Sequence, residues 1–493
     1  MSQDVGTEQE TSGFNSTGRR RARRKRTAPQ EVPAAPQTGI VGGEFLDESG
    51  QVLKRFAGRG MPARPRLWLA QRGYYAPQPV GASTTTRQAE ILNPAIIGEP
   101  TGAKGIPQGR DVLSRAIVAH DPITAYPHVV SSTNVAVIGD VGAGKSTCTK
   151  CNYALRALAL ADRQVVVYDR KDENGEGEYS ELTRFYGNDP LKFSVEPGAD
   201  TARLNLLDPA VGLVRGDSGQ LRLLRTVCEL ARGSELNEVE REALRAAYAL
   251  TRQEVDHRVP TLADLGERLG VISAAQYGDH SPAAQERLHQ AGLVMRYLIN
   301  DFLAEYGGVF DGDTSSAFQL NSRLTSFDIS QLPSDGPIIP AVMAVANMWL
   351  TGRIRAQRRT GNRMKTHVIA EEGWQFSSGP VGEMLRADTK LHRGLGMCLV
   401  FVFHKIADIP TDSPALALIQ EAQTVHIFRQ TRPADAARCG EMFDLAPDAR
   451  RTIMDLPTGT SLLKIGAARE VQVEGVLTPE EARLTNTDSA LVS

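Results

Sequence analysis

Val135-Ala-Val-Ile-Gly139-Asp-Val-Gly142-Ala-Gly144-Lys145-Ser146-Thr147 is the stretch on which the reading of this chain turns. It holds the full pattern G-x-x-x-x-G-K-[ST], from Gly139 to Ser146. Asn134 to Ile138 predicts a buried strand, and Thr147 to Leu160 predicts a helix. Glycines between a strand and a helix let backbone N–H groups turn inward around an anion, as bulkier residues would not. The helix N-terminus adds partial positive charge. Gly139, Asp140, Val141, Gly142, Ala143, Gly144, Lys145, Ser146 and Thr147 are therefore the candidate phosphate-binding residues. Lys145 is placed to reach β- and γ-phosphates, and the Ser146 hydroxyl suits Mg²⁺. ATP and Mg²⁺ are the expected ligands. A glycine-rich loop alone is often a mere turn; its place between strand and helix argues against that here.

Working outward, the 493 residues are too many for one simple domain and predict two or three. Charged residues at 23% and apolar residues at 41% fit a soluble globular protein. A net charge of −2 makes no overall case for a nucleic-acid binder. Five cysteines without a secretory signal predict a reducing cytoplasm. Cys148 and Cys151 lie one helical turn apart with no second pair to complete a zinc site, so packing against a sheet is the expectation. The most apolar run, Pro337 to Leu350, is too short to span a bilayer. Contact with a membrane is then peripheral or through a partner.

Residues 1–40 are polar and predict disorder. They contain Arg19-Arg-Arg-Ala-Arg-Arg-Lys-Arg26, seven cations in eight residues. Such a run holds DNA or anionic lipid phosphates, or is a solvated tail. Residues 41–110 are rich in Gly and Pro, with short strands expected and Trp68, Tyr74 and Tyr75 as anchors. From there strands and helices alternate. Strands are predicted at Arg163–Asp169, Leu191–Val195, Leu324–Ile329, His367–Ala370, Met397–Phe403, Thr424–Phe428, Thr460–Ile465 and Arg469–Val473. Residues 217–305 read as helices throughout, opened by Asn237-Glu-Val-Glu240, Thr261-Leu-Ala-Asp264 and Ser281-Pro282. A long helix from about Ile339 to Arg358 and a helix from Pro433 follow, and Thr478-Pro-Glu-Glu481 opens a last short one. The organisation is an α/β domain over 111–216 and 306–480, an all-α insertion over 217–305, and a C-terminal end over 481–493. A phosphate loop on the first of repeated strand–helix units predicts a doubly wound parallel sheet.

Hydrolysis of a triphosphate needs an acid to support Mg²⁺, a group that activates water, and positive charge on the γ-phosphate. The acids are expected to end an apolar strand next to the phosphate-loop strand. Val368-Ile-Ala-Glu371-Glu372 fits, with Glu371 supporting Mg²⁺ and Glu372 orienting or deprotonating water. His404, after Leu399-Val-Phe-Val-Phe403, is placed to sense the γ-phosphate. Arg393 precedes that strand and is a candidate to reach a neighbouring subunit's nucleotide, though on spacing alone Arg386 and Lys390 serve as well. Arg429 and Arg432 are weaker candidates of the same type.

Taken in order, these motifs resemble the ATPases of conjugal transfer and type IV secretion, within the HerA–FtsK group of ring-forming motors. The resemblance covers about residues 107–480. It rests on the phosphate loop and on Asp169 followed by Glu178-Tyr179-Ser-Glu-Leu182, similar to the family's Asp-Pro-Lys-Gly-Glu-Tyr. It rests also on Asn205-Leu-Leu-Asp208-Pro209 and Glu371-Glu372-Gly373-Trp374, similar to Asn-Pro-Leu-Asp-Pro and Asp-Glu-Ala-Trp. The resemblance implies a P-loop NTPase (RecA-like) α/β fold, mostly parallel, with an all-α insertion. It implies a γ-phosphate sensor at His404, a trans-acting arginine at Arg393, and a homo-oligomer, a hexameric ring, working with secretion or conjugation machinery at the inner membrane. The chain departs from the pattern at Glu371, where Asp is usual, and in the additional residues Asp172-Glu-Asn-Gly-Glu176. The large N-terminal domain of many such ATPases is replaced by about 110 residues with a basic tail. The expected function is an ATP-driven motor for DNA transfer or secretion, cytoplasmic or peripheral at the cytoplasmic membrane. The alternatives are a soluble DNA translocase or helicase and a non-hydrolysing ATP-binding scaffold.

Overall fold

The computed structural model describes residues 40–41, 44–45, 104–196, 199–213, 216–318, 320, 322–371, 392, 394–406, 416 and 419–486. The basic run, Trp68, Tyr74 and Tyr75 lie outside them. The chain divides into two compact units, residues 1–99 and 100–493. Of the first, two short strands are described, β1 (Ile40–Val41) and β2 (Glu44–Phe45), paired antiparallel.

The second unit is organised on one sheet of eleven strands. Its parallel part contains β5 (Val135–Ile138), β6 (Arg163–Asp169), β9 (Leu191–Lys192), β10 (Leu324–Asp328), β11 (Lys365–Ala370), β12 (Met397–Phe403) and β13 (Thr424–Ile427). Their spatial order is β13-β5-β12-β11-β6-β10-β9. Strands buried on both faces read as unbroken apolar runs, and Met397-Cys-Leu-Val-Phe-Val-Phe403 is buried at all seven positions. Beyond β13 the sheet continues antiparallel through β14 (Thr460–Ile465), β15 (Val471–Glu474), β3 (Pro107–Asp111) and β4 (Ile117–Ala119). The sheet is therefore mixed and mostly parallel. The strand expected over Leu191–Val195 is shorter, because only its first two residues pair with β10.

Alternate side chains of each central strand enter two different cores. Ala136, Ile138, Val166 and Tyr168 join one; Val135, Val137, Val165 and Val167 join the other. The second core is covered by the helix after the phosphate loop, through Tyr153, Ala154, Ala157 and Leu158. The first is covered by the helix Ile338–Arg359, whose stretch Ile338–Gly352 is almost continuously buried. That placement accounts for the apolar run at Pro337 to Leu350. Among the described residues no helix is long and apolar enough to cross a membrane.

The helices Gly216–Arg232, Glu238–Glu254, Leu262–Arg268, Ala274–Tyr277 and Pro282–Phe310 make up the insertion. Their starts follow the sequence signals. Asn237 accepts from the Glu240 N–H at 2.9 Å and its own N–H donates to the Glu240 carboxylate at 2.8 Å. Thr261 with Asp264 and Thr478 with Glu481 form the same reciprocal box, and Ser281 caps a helix with Pro282 in its first turn. Each such cap contributes roughly 1 kcal/mol by satisfying otherwise orphaned N–H groups. Leu223, Leu244, Met295 and Phe302 carry these helices into the core shared with the sheet.

Candidate nucleotide site

At the end of β5 the chain turns through Gly142 and Gly144, whose φ angles of 72° and 105° suit glycine. Gly139 is required for a different reason: a Cβ there would collide with the Cβ of Phe428. The loop is braced from behind by residues far away in sequence. The Gly459 N–H donates to the Ala143 carbonyl, and the Asp140 N–H to the Arg429 carbonyl, each at 3.0 Å. The Asp140 carboxylate accepts from the N–H and hydroxyl of Thr431 at 2.7 Å. Burial alone would raise the Asp140 pKa; the Thr431 bonds and the charges of Lys405 and Lys145 bring it below the usual value.

The helix that follows is α-helical over Lys145–Cys148 and Arg156–Leu158, with a π-helical stretch, Thr149–Leu155, between them. It starts two residues earlier than the sequence predicts, at Lys145. Cys151 is buried and Cys148 packs against the core on that face, as expected of structural cysteines. The Lys145 ammonium is buried and donates to the Asp140 carbonyl at 2.8 Å. Burial lowers its pKa to about 8, against the attraction of Glu371 and Asp140.

Glu371, just after β11, is buried, and its N–H donates to the Tyr168 carbonyl at 3.2 Å. Burial, with the charge of Glu178, pushes its carboxyl up to about 7; the Tyr179 hydroxyl and the charges of Lys150 and Lys145 oppose the rise. Tyr179 donates to Glu371 Oε1 at 2.7 Å.

The expected neighbour relation needs one correction. β11 does not lie beside β5; β12 lies between them, with Phe403 opposite Ile138 and Phe401 opposite Ala370. In a doubly wound sheet crossovers decide strand order, so chain order does not reveal which apolar strand is inserted. β5 is flanked by β13 and β12, and β12 is the one followed directly by His404. Gly139 N–H donates to the Phe403 carbonyl at 3.3 Å, which places His404 at the entry to the loop. The His404 carbonyl accepts from the Gln430 side chain at 3.4 Å. Arg432 stands at the N-cap of the helix Pro433–Met442. Glu372, Arg386, Lys390 and Arg393 lie outside the described residues.

A second group of buried charges adjoins Glu371. Asp169 and Asp328 end β6 and β10 directly opposite each other. The additional residues of the Asp169 region form a hairpin, β7 (Asp172–Glu173) and β8 (Glu176–Gly177), turned by Asn174 and Gly175 with φ of 58° and 85°. Asn-Gly is the favoured pair where both turn residues take positive φ. The hairpin is held at its base: Gly177 N–H donates to Asp328 at 2.9 Å, and Tyr179 N–H to Asp169 at 2.7 Å. Burial pushes the Asp169 carboxyl well above the usual range, opposed by the Tyr179 N–H and reinforced by Asp328. Lys150, buried on the phosphate-loop helix, pairs with Glu178 at 3.4 Å and lies 5.3 Å from the Tyr179 ring centre.

Lys150 and Asp328 escape a reading by motif. The available signals were a lysine inside an apolar helix and an aspartate closing an apolar strand, both weak without the fold. Beside the loop, a cavity of about 150 Å³ is lined by Gly144, Thr147, Cys148, Phe428, Gly459 and Leu477, among others.

The sheet order, helices on both faces and phosphate loop define a P-loop NTPase fold. The chain resembles the solved structure of VirB4 of Thermoanaerobacter pseudethanolicus, with 18% identity over 78% of this chain and 99% of that one, and a TM-score of 0.62. It also matches the bacterial conjugative coupling protein TrwBdeltaN70, with 14% identity over 77% of this chain and 90% of that one, and a TM-score of 0.48. No protein-family model and no curated protein matches the chain.

Proposed function

We propose that this chain is an ATP-hydrolysing motor subunit of the conjugal transfer and type IV secretion class. The observation that carries the reading is the intact phosphate loop, with Lys145 buried at the start of its helix and Glu371 buried just after β11. The fold likeness to VirB4 and the order of the sequence motifs support it.

In this reading the loop N–H groups and Lys145 bind the phosphates, and the neighbouring cavity takes the nucleoside. Ser146 and Glu371 supply a hydroxyl and a carboxylate, hard oxygen donors of the kind Mg²⁺ prefers. Mg²⁺ held there neutralises charge on the phosphates. Glu372 orients or deprotonates the attacking water, and His404 senses the γ-phosphate from the adjacent strand. Arg393 reaches a neighbouring subunit's nucleotide within a hexameric ring. The ring works at the inner-membrane transfer machinery, with residues 19–26 as its contact to DNA.

Steady-state phosphate release tests the proposal. Lys145→Ala and Glu372→Gln are each expected to lower kcat at least about a hundredfold, since one removes a charge acting on the transferred phosphoryl and the other the group acting on the attacking water. Release unaffected by either substitution overturns it. Tight ATP binding with no turnover in the parent protein would instead establish the scaffold.

A further inference from the structure

We propose that Tyr179 is a positioning residue for the hydrolysis assigned above: its hydroxyl fixes the Glu371 carboxylate, and the Asp169–Asp328 pair fixes Tyr179. The inference rests on that assignment and deepens it.

Both partners are buried, and the phenol donates to Oε1 at 2.7 Å. Among the described residues Glu371 is the hydroxyl's hydrogen-bond partner. Phenylalanine would fill nearly the same volume, so packing does not explain the hydroxyl. The backbone beneath is anchored with unusual investment. Two buried carboxylates at adjacent strand ends accept from the N–H groups of Gly177 and Tyr179. The fit is tight, since a Cβ on Gly177 would lie 3.0 Å from the Asp328 carboxyl carbon and closer still to Asp169. From the other side Lys150 lies over the ring, within ion-pair distance of Glu178. Tyr179 is thus held at its backbone N–H by Asp169, over its ring by Lys150 and at its hydroxyl by Glu371.

This arrangement gives Glu371 a physical reason to stand where an aspartate is usual in the resembled family. Glutamate has one more rotatable bond, and a free carboxylate on it would sample several positions. A hydrogen bond to one carboxylate oxygen removes that freedom. Such a bond is strongest when the carboxylate is ionised, and a rigid donor loses little entropy in making it.

The test is Tyr179→Phe, alone and combined with Glu371→Asp. Tyr179→Phe is expected to lower kcat about tenfold, the loss of one hydrogen bond to a charged group. The KM for ATP should stay within about twofold, because the phosphate loop is untouched, while the Mg²⁺ concentration giving half-maximal turnover should rise, because Glu371 is an assigned Mg²⁺ donor. Glu371→Asp withdraws the carboxylate by one methylene from the phenol. The double variant is therefore expected to be no slower than Glu371→Asp alone. An unchanged kcat in Tyr179→Phe, or losses that simply multiply in the double variant, overturns the positioning role. A melting temperature lowered by more than about 10 °C, with activity recovered on cooling, would mark a purely structural residue and also overturn it. Absence of Lys145-dependent turnover in the parent protein would overturn the ATPase assignment itself, and this inference with it.

Discussion

The ion pair between Lys150 and Glu178 makes a sharp prediction because both side chains are almost completely removed from water, with 1% and 0% exposure. At 3.4 Å and an effective dielectric of about 20, their attraction is about 5 kcal/mol. Desolvation costs several kcal/mol per ion, so the intact pair is worth little more than a well-packed apolar one. Removing one member leaves the other's desolvation uncompensated, at about 3–5 kcal/mol. The two single variants should differ. Lys150→Met leaves Glu178 with the half-exposed Lys171, also at 3.4 Å, so its cost is set at about 2 kcal/mol. Glu178→Leu leaves the Lys150 ammonium with the Tyr179 ring 5.3 Å away, and should cost about 3–4 kcal/mol. The double variant Lys150→Met with Glu178→Leu removes both charges and should lie within about 1 kcal/mol of the parent. Urea unfolding followed by tryptophan fluorescence reads all four proteins. A double variant destabilised by the sum of the singles, within about 0.5 kcal/mol, refutes the coupling.

Acid should destabilise the second unit, because its depressed histidines, His120, His367, His392 and His426, outnumber the buried carboxyls of Glu371 and Asp169, whose raised pKa values act in the opposite sense. Burial lowers the pKa of His120 and His392 to about 4 and of His426 to about 3. A histidine depressed in the native state is protonated first in the unfolded chain, below about 6.5. Stability is then complete above that value and falls by about 1 kcal/mol per histidine per pH unit as pH drops towards the native pKa. Urea midpoints measured from pH 7.5 to 5 should fall steadily; a flat profile contradicts it. Gly177→Ala should cost about 1–3 kcal/mol by overpacking, since its methyl would be 3.0 Å from the Asp328 carboxyl carbon. It should also lower kcat by displacing Tyr179, and a variant as stable and active as the parent would show that the hairpin base yields freely.

Much of the fold was legible because local patterns carry it. Arg163–Asp169, Met397–Phe403 and Thr460–Ile465 are strands at the residues that apolar patterning predicts. The caps at Asn237, Thr261, Ser281 and Thr478 open helices where their chemistry says they should. The loop from Gly139 to Ser146 was legible for the same reason: glycine geometry, strand and helix are all local. The π-helical stretch after the loop was not, because its residues have no distinctive local preference.

The sequence alone determined that a phosphate loop joins a buried strand to a helix and that two carboxylates, Glu371 and Glu372, follow another buried strand. Those features depend on residue type and near neighbours. Only the tertiary structure decided that β12 lies between these strands, bringing His404 to the loop's side. It alone decided that Phe428, Thr431 and Gly459 brace the loop and that Tyr179, under Lys150, bonds to Glu371. Strand order and buried charge pairing arise from contacts between residues tens to hundreds of positions apart. No local period encodes such contacts, and burial gives them their energy only after the chain has folded.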